Sequence, residues 1–366
     1  MALRLWATLA ALLPGIALAQ DAPSADPYAP GKAILAELGR IVTPNGVQET
    51  HEVVLGGAKQ VITVRGADRA NPILLFVHGD PGAVEMPISW SFQRPWEDFF
   101  TVVQWDQRGA GRSYLLNDPA TIAPTLTPDR YRDDAIELIE WLNARYGKRK
   151  VVLMGHSWGS VVGLSVAQKR PDLLHAYVGV GQLIHFRENE RIGFAWTLEQ
   201  ARKTGNAEAV RELEALQPYP GDGDFSVDKV AIERKWSDFY GGLAYGRTDG
   251  IFYFRPGRLS PDYRPEDRKA WDDGSAMTMK TMWPKLADID FTGTKRLKVP
   301  TYLFLGRHDY TTPSVIADRW LAALQAPRKG IVWFNHSSHL PMLEEPGHML
   351  AALIKTIRPI AADKDK

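Results

Sequence analysis

The sequence predicts an α/β fold: a mostly parallel, doubly wound sheet interrupted by an inserted, mainly helical cap. Three observations lead there. Short apolar runs alternate with helix-like stretches between Ile73 and Val180, and again between Thr301 and Phe334. The alternation stops from Gln182 to about Arg296, where helix-like stretches and aromatic residues take over. Gly155-His156-Ser157-Trp158-Gly159 links the apolar run Val151–Met154 to the small-residue stretch Val161–Gln168, so the chain reads strand, sharp turn, helix around one serine. At 366 residues, one such domain with its insertion accounts for the whole chain.

Taken in order, MALRLWATLAALLPGIALAQ carries one early arginine, an apolar stretch, and small residues Ala17 and Ala19 before Gln20. It reads as a secretory signal over residues 1–19, implying a periplasmic or secreted protein. Pro14 and Gly15 interrupt the stretch, which is shorter than the roughly 20 apolar residues that span a bilayer, so no stable membrane insertion is expected after cleavage. Residues 20–49 follow as a lead-in, with Asp21 to Gly31, rich in Pro, Ala and Asp, expected to be flexible. The first part of the core is expected over 50–181, the cap over 182–296 and the second part of the core over 297–366.

Within the core, His51–Leu55 and Gln60–Arg65 flank Gly56-Gly57 as a hairpin. Strands are expected at Ile73–Val77, Thr101–Trp105, Lys150–Met154 and Ala176–Val180. Thr127-Pro128 opens a helix with a cap residue and a first-position proline, and Gly147 stops it. Tyr131, Ala135, Leu138, Leu142 and Tyr146 give that helix one apolar stripe for the sheet. In the cap, helices are expected around Glu188–Thr204, Ala207–Leu216 and Val227–Tyr240. Trp196, Trp236, Phe239, Tyr240, Phe252, Tyr253, Phe254, Trp271 and Trp283 are aromatic candidates there, most expected in the cap's own core and a few facing substrate. Beyond it, Thr301–Leu305 and Gly330–Phe334 are strands on either side of a helix-like stretch, Ser314 to Leu324.

The elbow dictates chemistry. A serine hydroxyl is a weak nucleophile at neutral pH, so it needs a histidine base and an acid to orient it, in the chain order serine, acid, histidine. Asp309 comes off the end of Thr301–Leu305, and His339 lies in the loop after Gly330–Phe334; His336, nearly at the strand end, is too early to swing over Ser157. The expected triad is therefore Ser157, Asp309 and His339. An oxyanion hole needs two backbone N–H groups. Trp158, the residue after the serine, offers one, and Asp80 or Gly79, in the Gly- and Pro-containing loop after Ile73–Val77, offers the other.

His78–Gly82 (HGDPG) and Trp105–Ser113 (WDQRGAGRS), together with the elbow and Ser338-His339, resemble the prolyl aminopeptidase (proline iminopeptidase) family of α/β-hydrolases over roughly Thr50 to Gly181 and Leu297 to Arg358. The resemblance implies the α/β-hydrolase fold, Ser157 as nucleophile, and an oxyanion hole from the Trp158 and Asp80 amides. It departs at Asp80, where the family has glycine. Family aminopeptidases also hold the substrate's free amine with cap glutamates, for which Glu188, Glu190 and Glu233 are the candidates here. Trp105–Ser113 is expected to support the site, with Asp106 and Arg108 pairing or bonding backbone groups.

Composition limits the alternatives. Lys+Arg 44 against Asp+Glu 43 leaves a net charge of +1 without a basic tract, so no nucleic-acid partner is expected and the substrate is a small molecule or short peptide. There is no cysteine, hence no disulfide, thiol nucleophile or cysteine metal site; no cofactor and no metal are expected. The composition does not specify an oligomeric state. The reading is a secreted serine hydrolase working through an acyl-enzyme, releasing N-terminal residues from small peptides, with a carboxylesterase for hydrophobic esters as the alternative. A non-catalytic binding protein on the same fold is a more distant one. Haloalkane dehalogenase or epoxide hydrolase chemistry would want a carboxylate where Ser157 stands.

Overall fold

The computed structural model describes residues 26–221 and 226–362. The signal segment expected over 1–19 lies outside these residues. Eight strands form one sheet: β1 (Val47–Leu55), β2 (Ala58–Gly66), β3 (Ile73–Val77), β4 (Thr101–Asp106), β5 (Val151–His156), β6 (Leu174–Val180), β7 (Thr301–Gly306) and β8 (Lys329–Phe334), in the order β1-β2-β4-β3-β5-β6-β7-β8. β1 and β2 pair antiparallel, as do β2 and β4; every later pairing is parallel. β3, β5 and β6 are buried along their whole length. Helices cover both faces of a parallel sheet, which is why these strands read as unbroken apolar runs.

The strand order fixes where a site can form. The chain leaves β3 for β4 on one side, then crosses to β5 on the other. At such a reversal the loops from the two carboxyl ends diverge and leave a crevice. The loop after β3 carries His78–Gly82, and the turn after β5 carries Ser157.

Local signals explain the flanking helices. The hydroxyl of Thr127 accepts the N–H of Arg130 at 3.1 Å, Pro128 opens the helix Pro128–Tyr146, and Gly147 closes it with φ 64°. Tyr131, Ala135, Leu138 and Leu142 of the expected stripe are buried, and Tyr146 packs against the same core.

The cap contains the three expected helices, at Phe186–Lys203, Ala207–Glu214 and Val227–Phe239, and two more, Ile251–Phe254 and Pro265–Leu286. The 22-residue Pro265–Leu286 helix escaped the sequence reading because Gly274 and Pro284 interrupt it and it has no clean apolar stripe. Gly274 is there for contact. A Cβ at this position would lie 2.8 Å from the Gly109 carbonyl and 3.2 Å from Tyr114, so glycine lets the cap helix lie directly on the turn after β4.

The lead-in differs from expectation. A helix begins at Ala29, within the stretch expected to be flexible, and runs to Leu38; the first strand starts at Val47 rather than after Thr50. Pro30 sits in the helix's first turn, where a missing N–H does no harm. Lys32 fastens the segment to the cap by donating to the Tyr263 carbonyl at 2.6 Å and pairing with Asp26 at 2.8 Å.

Candidate active site

Ser157 is placed by strain. Its backbone sits at φ 53°, ψ −119°, a region that residues with a Cβ rarely adopt, between the end of β5 and the helix Trp158–Lys169. The Ser157 N–H is held by the Val180 carbonyl at 2.9 Å, and Ser160 caps the Ser157 carbonyl with both its N–H and its hydroxyl. The two elbow glycines permit this. A Cβ on Gly159 would overlap the Val77 carbonyl, and one on Gly155 would overlap the Gly159 backbone.

The predicted base and acid meet. Nδ1 of His339 lies 2.9 Å from Oδ2 of Asp309, and both residues are buried. Asp309 is braced by Thr312, whose N–H donates to Oδ1 at 2.7 Å and whose hydroxyl donates to Oδ2 at 2.9 Å. With a carboxylate as its neighbour, Nδ1 carries the proton and Nε2 is left with its lone pair. Burial holds the His339 pKa below the ordinary imidazole value, against the opposing pull of Asp309. Its loop is tied down by Glu344, whose carboxylate accepts the N–H groups of Ser338 and Leu340, each at 3.0 Å, and that of Tyr245 at 2.6 Å. His336 is exposed; its backbone N–H is engaged by Glu345 at 2.9 Å and its ring lies beside Tyr245, away from the cavity wall.

Opposite the elbow, Gly79 approaches so closely that a Cβ there would lie 2.9 Å from the Cβ of Ser157. Asp80 adopts φ 35°, a conformation suited to glycine. Among the described residues, no protein acceptor takes the backbone N–H of Trp158 or that of Asp80. Gln107 braces this loop, donating to the His78 carbonyl at 3.0 Å and accepting the indole N–H of Trp158 at 3.2 Å.

The rest of Trp105–Ser113 works in the scaffold. Arg108 grips Asp134 bidentately at 2.8 and 3.0 Å and donates to the Leu55 carbonyl at 2.8 Å. Asp106 accepts the Arg112 N–H at 2.9 Å and the Tyr263 hydroxyl of the cap.

Ser157, His339, Trp158, Gly79 and Asp80 line one cavity of about 240 Å³. Its wall is mostly apolar, and of the aromatic candidates Tyr253, Phe254 and Trp283 reach it. The others lie elsewhere: Trp196 stacks on Tyr310 at 4.0 Å, while Trp236 and Trp271 are in the cores.

The three glutamate candidates separate. Glu190 lines the cavity, accepting the Tyr219 hydroxyl at 2.6 Å. Glu233 is buried behind it, accepting the Thr197 hydroxyl at 3.0 Å. Glu188 is not in the cavity wall; its carboxylate is bound by Arg319, with both oxygens at 2.9 Å, so the structure removes it as a candidate for contacting substrate.

Sequence reasoning missed Arg234, which lines the cavity and binds both Glu190 and Glu233. It also missed Asp238 in the same wall. Helical spacing from Glu233 could have flagged neither, because what makes them neighbours of Ser157 is the folding of the cap over the core. Burial pushes the pKa of Asp80 up to about 6 and that of Asp238 up to about 7, with Arg234 opposing in both cases.

Residues 74–353 match the alpha/beta hydrolase family. The chain belongs to this family. It is 29% identical over 298 residues to the probable aminopeptidase YbaC of Bacillus subtilis, covering 81% of this chain and 92% of that one. It is also 29% identical over 292 residues to a proline iminopeptidase of Arabidopsis thaliana, covering 75% and 71%. Among solved structures it is similar to a proline iminopeptidase-related protein from Thermus thermophilus, with a TM-score of 0.57 at 20% identity over 86% of this chain and 99% of that one. The protein is a hydrolase with the α/β-hydrolase fold.

Proposed function

We propose that the protein is a serine hydrolase whose nucleophile is Ser157, whose base is His339 and whose orienting acid is Asp309, and that it releases N-terminal residues from small peptides. The observation that carries this reading is the 2.9 Å contact from Asp309 to Nδ1 of His339, in a cavity that His339 shares with a serine held at φ 53°. The Ser157 hydroxyl attacks the scissile carbonyl while Nε2 of His339 takes its proton; the N–H groups of Trp158 and Asp80, with Gly79 alongside, receive the developing oxyanion. His339 then gives the proton to the leaving amine. Water, deprotonated by the same imidazole, releases the acyl group and restores the serine.

Support for an amine-bearing substrate comes from the carboxylates of Asp80, Glu190 and Asp238 in the cavity wall, where a desolvated ammonium needs an anionic partner. The names of the similar proteins agree. Esterase action on a hydrophobic ester is the second reading, favoured by the apolar wall and by Arg234, which already pairs with Glu190 and Glu233. Comparing aminoacyl arylamides, their N-acetylated forms and acyl esters decides between them: preference for the free amine supports the aminopeptidase, and indifference to acetylation supports the esterase. Export to the periplasm or medium is part of the proposal and rests on the composition of residues 1–19.

A further inference from the structure

The peptide unit of His339 is clamped from two sides. Its N–H donates to the Leu243 carbonyl of the cap at 3.0 Å, and its carbonyl lies 2.9 Å from Nε2 of His156, the residue immediately before Ser157. His156 in turn has Nδ1 2.6 Å from Oε1 of Glu85, and that same oxygen accepts the hydroxyl of Tyr253, a cap residue, at 2.9 Å. His156 and Glu85 are 2% and 0% exposed. The His156 and His339 rings lie 4.8 Å apart between centroids.

From this geometry, and resting on the reading of His339 as the base, we propose that His156, braced by Glu85 and Tyr253, is a positioning residue for His339 that ties the cap to the catalytic loop. The His156 ring faces a carbonyl oxygen at Nε2 and a carboxylate oxygen at Nδ1, surroundings that favour its protonated form. Burial works against that charge, and Glu85 outweighs it to raise the His156 pKa. The titratable groups around it are Glu85 after β3, His78 at the end of β3, Asp309 after β7 and His339 after β8. A positive charge on His156 disfavours a second one on His339 and adds to the effect of burial in favouring the neutral base.

The test uses full-length His156→Gln, Glu85→Gln and Tyr253→Phe, with kcat and KM measured across pH. His156→Gln should lower kcat by about tenfold or more, because the base is misplaced. It should also move the acid limb of kcat/KM to higher pH, since a positive charge has been removed and Glu85 left behind. Glu85→Gln should lower kcat with a smaller movement, because without its counter-ion the buried His156 discharges and both charges disappear together. Tyr253→Phe keeps the ring and should lower kcat in the same direction by less; it carries the test if His156→Gln does not fold. A folded His156→Gln enzyme with an unmoved acid limb, or a folded Tyr253→Phe enzyme with unchanged kcat, overturns the proposal. Failure of the underlying reading looks different, since Ser157→Ala and His339→Ala would then stay active.

Discussion

At Ser157 the backbone itself is held in a conformation that the side chain does not favour, which places the hydroxyl at the mouth of the sheet and leaves the neighbouring N–H groups unclaimed among the described residues. Such strain persists only where the surroundings enforce it, and here the enforcing contacts are the Val180 carbonyl and the two elbow glycines. Gly159→Ala, whose Cβ would overlap the Val77 carbonyl, is therefore expected to yield little folded or active protein, measured as soluble yield and turnover; a well-folded, fully active variant would contradict the tight elbow. The histidines separate in the same way. His339→Ala should abolish turnover and His336→Ala should be mild, because His336 offers the site nothing but an exposed ring. Since burial lowers the His339 pKa and the neutral form is the base, activity should persist as the pH falls below about 6.5, the unperturbed imidazole value, and decline only under more acidic conditions. An acid limb above that value would point to another base.

The elements explain which residues could be read in advance. Ser157, Asp309 and His339 follow strands β5, β7 and β8, whose apolar runs stand out, and each follows its strand closely enough for the order alone to bring them to one edge of the sheet. Glu85, Thr312 and Arg234 have no such frame. Glu85 lies in an irregular loop ahead of a short 3₁₀ turn, Thr312 only two residues before the helix Ser314–Ala323, and Arg234 on a cap helix whose polar face gives no sign that it is covered. The turn after β4 makes a stability prediction at this scale. Arg108 joins it to the hairpin and to the helix Pro128–Tyr146, and Arg108→Ala takes the bidentate cation from buried Asp134, leaving it Arg130 at 2.9 Å and Gln60 at 2.8 Å, at a cost of about 1–3 kcal/mol in denaturant unfolding. An unchanged unfolding midpoint would show that Arg130 and Gln60 satisfy Asp134 by themselves.

For the whole molecule, function turns on how the cap closes over the sheet. The cap's helical character was readable from the loss of alternation after Gln182, but not which of its charges would face Ser157, because that depends on packing between segments far apart in the chain. The packing puts Asp80, Glu190, Arg234 and Asp238 in one wall and sends Glu188 to Arg319. Asp80→Asn, Glu190→Gln and Glu233→Gln should accordingly raise KM for aminoacyl substrates at one or two positions and hardly affect neutral esters, while Glu188→Gln should leave both unchanged. Expression with the native leader in a Gram-negative host should yield a periplasmic protein beginning at Gln20, which N-terminal sequencing would establish; retention of Met1 on membranes would contradict export.

The central claim is that Ser157 is the nucleophile, and the direct measurement is turnover and fluorophosphonate labelling of Ser157→Ala beside the unaltered protein, each shown to be folded by its unfolding transition. The unaltered protein should label at Ser157, and the variant should neither label nor turn over substrate, with a loss of up to roughly a millionfold, as when the triad of a serine protease is removed. A folded Ser157→Ala protein with near-normal turnover would contradict the mechanism.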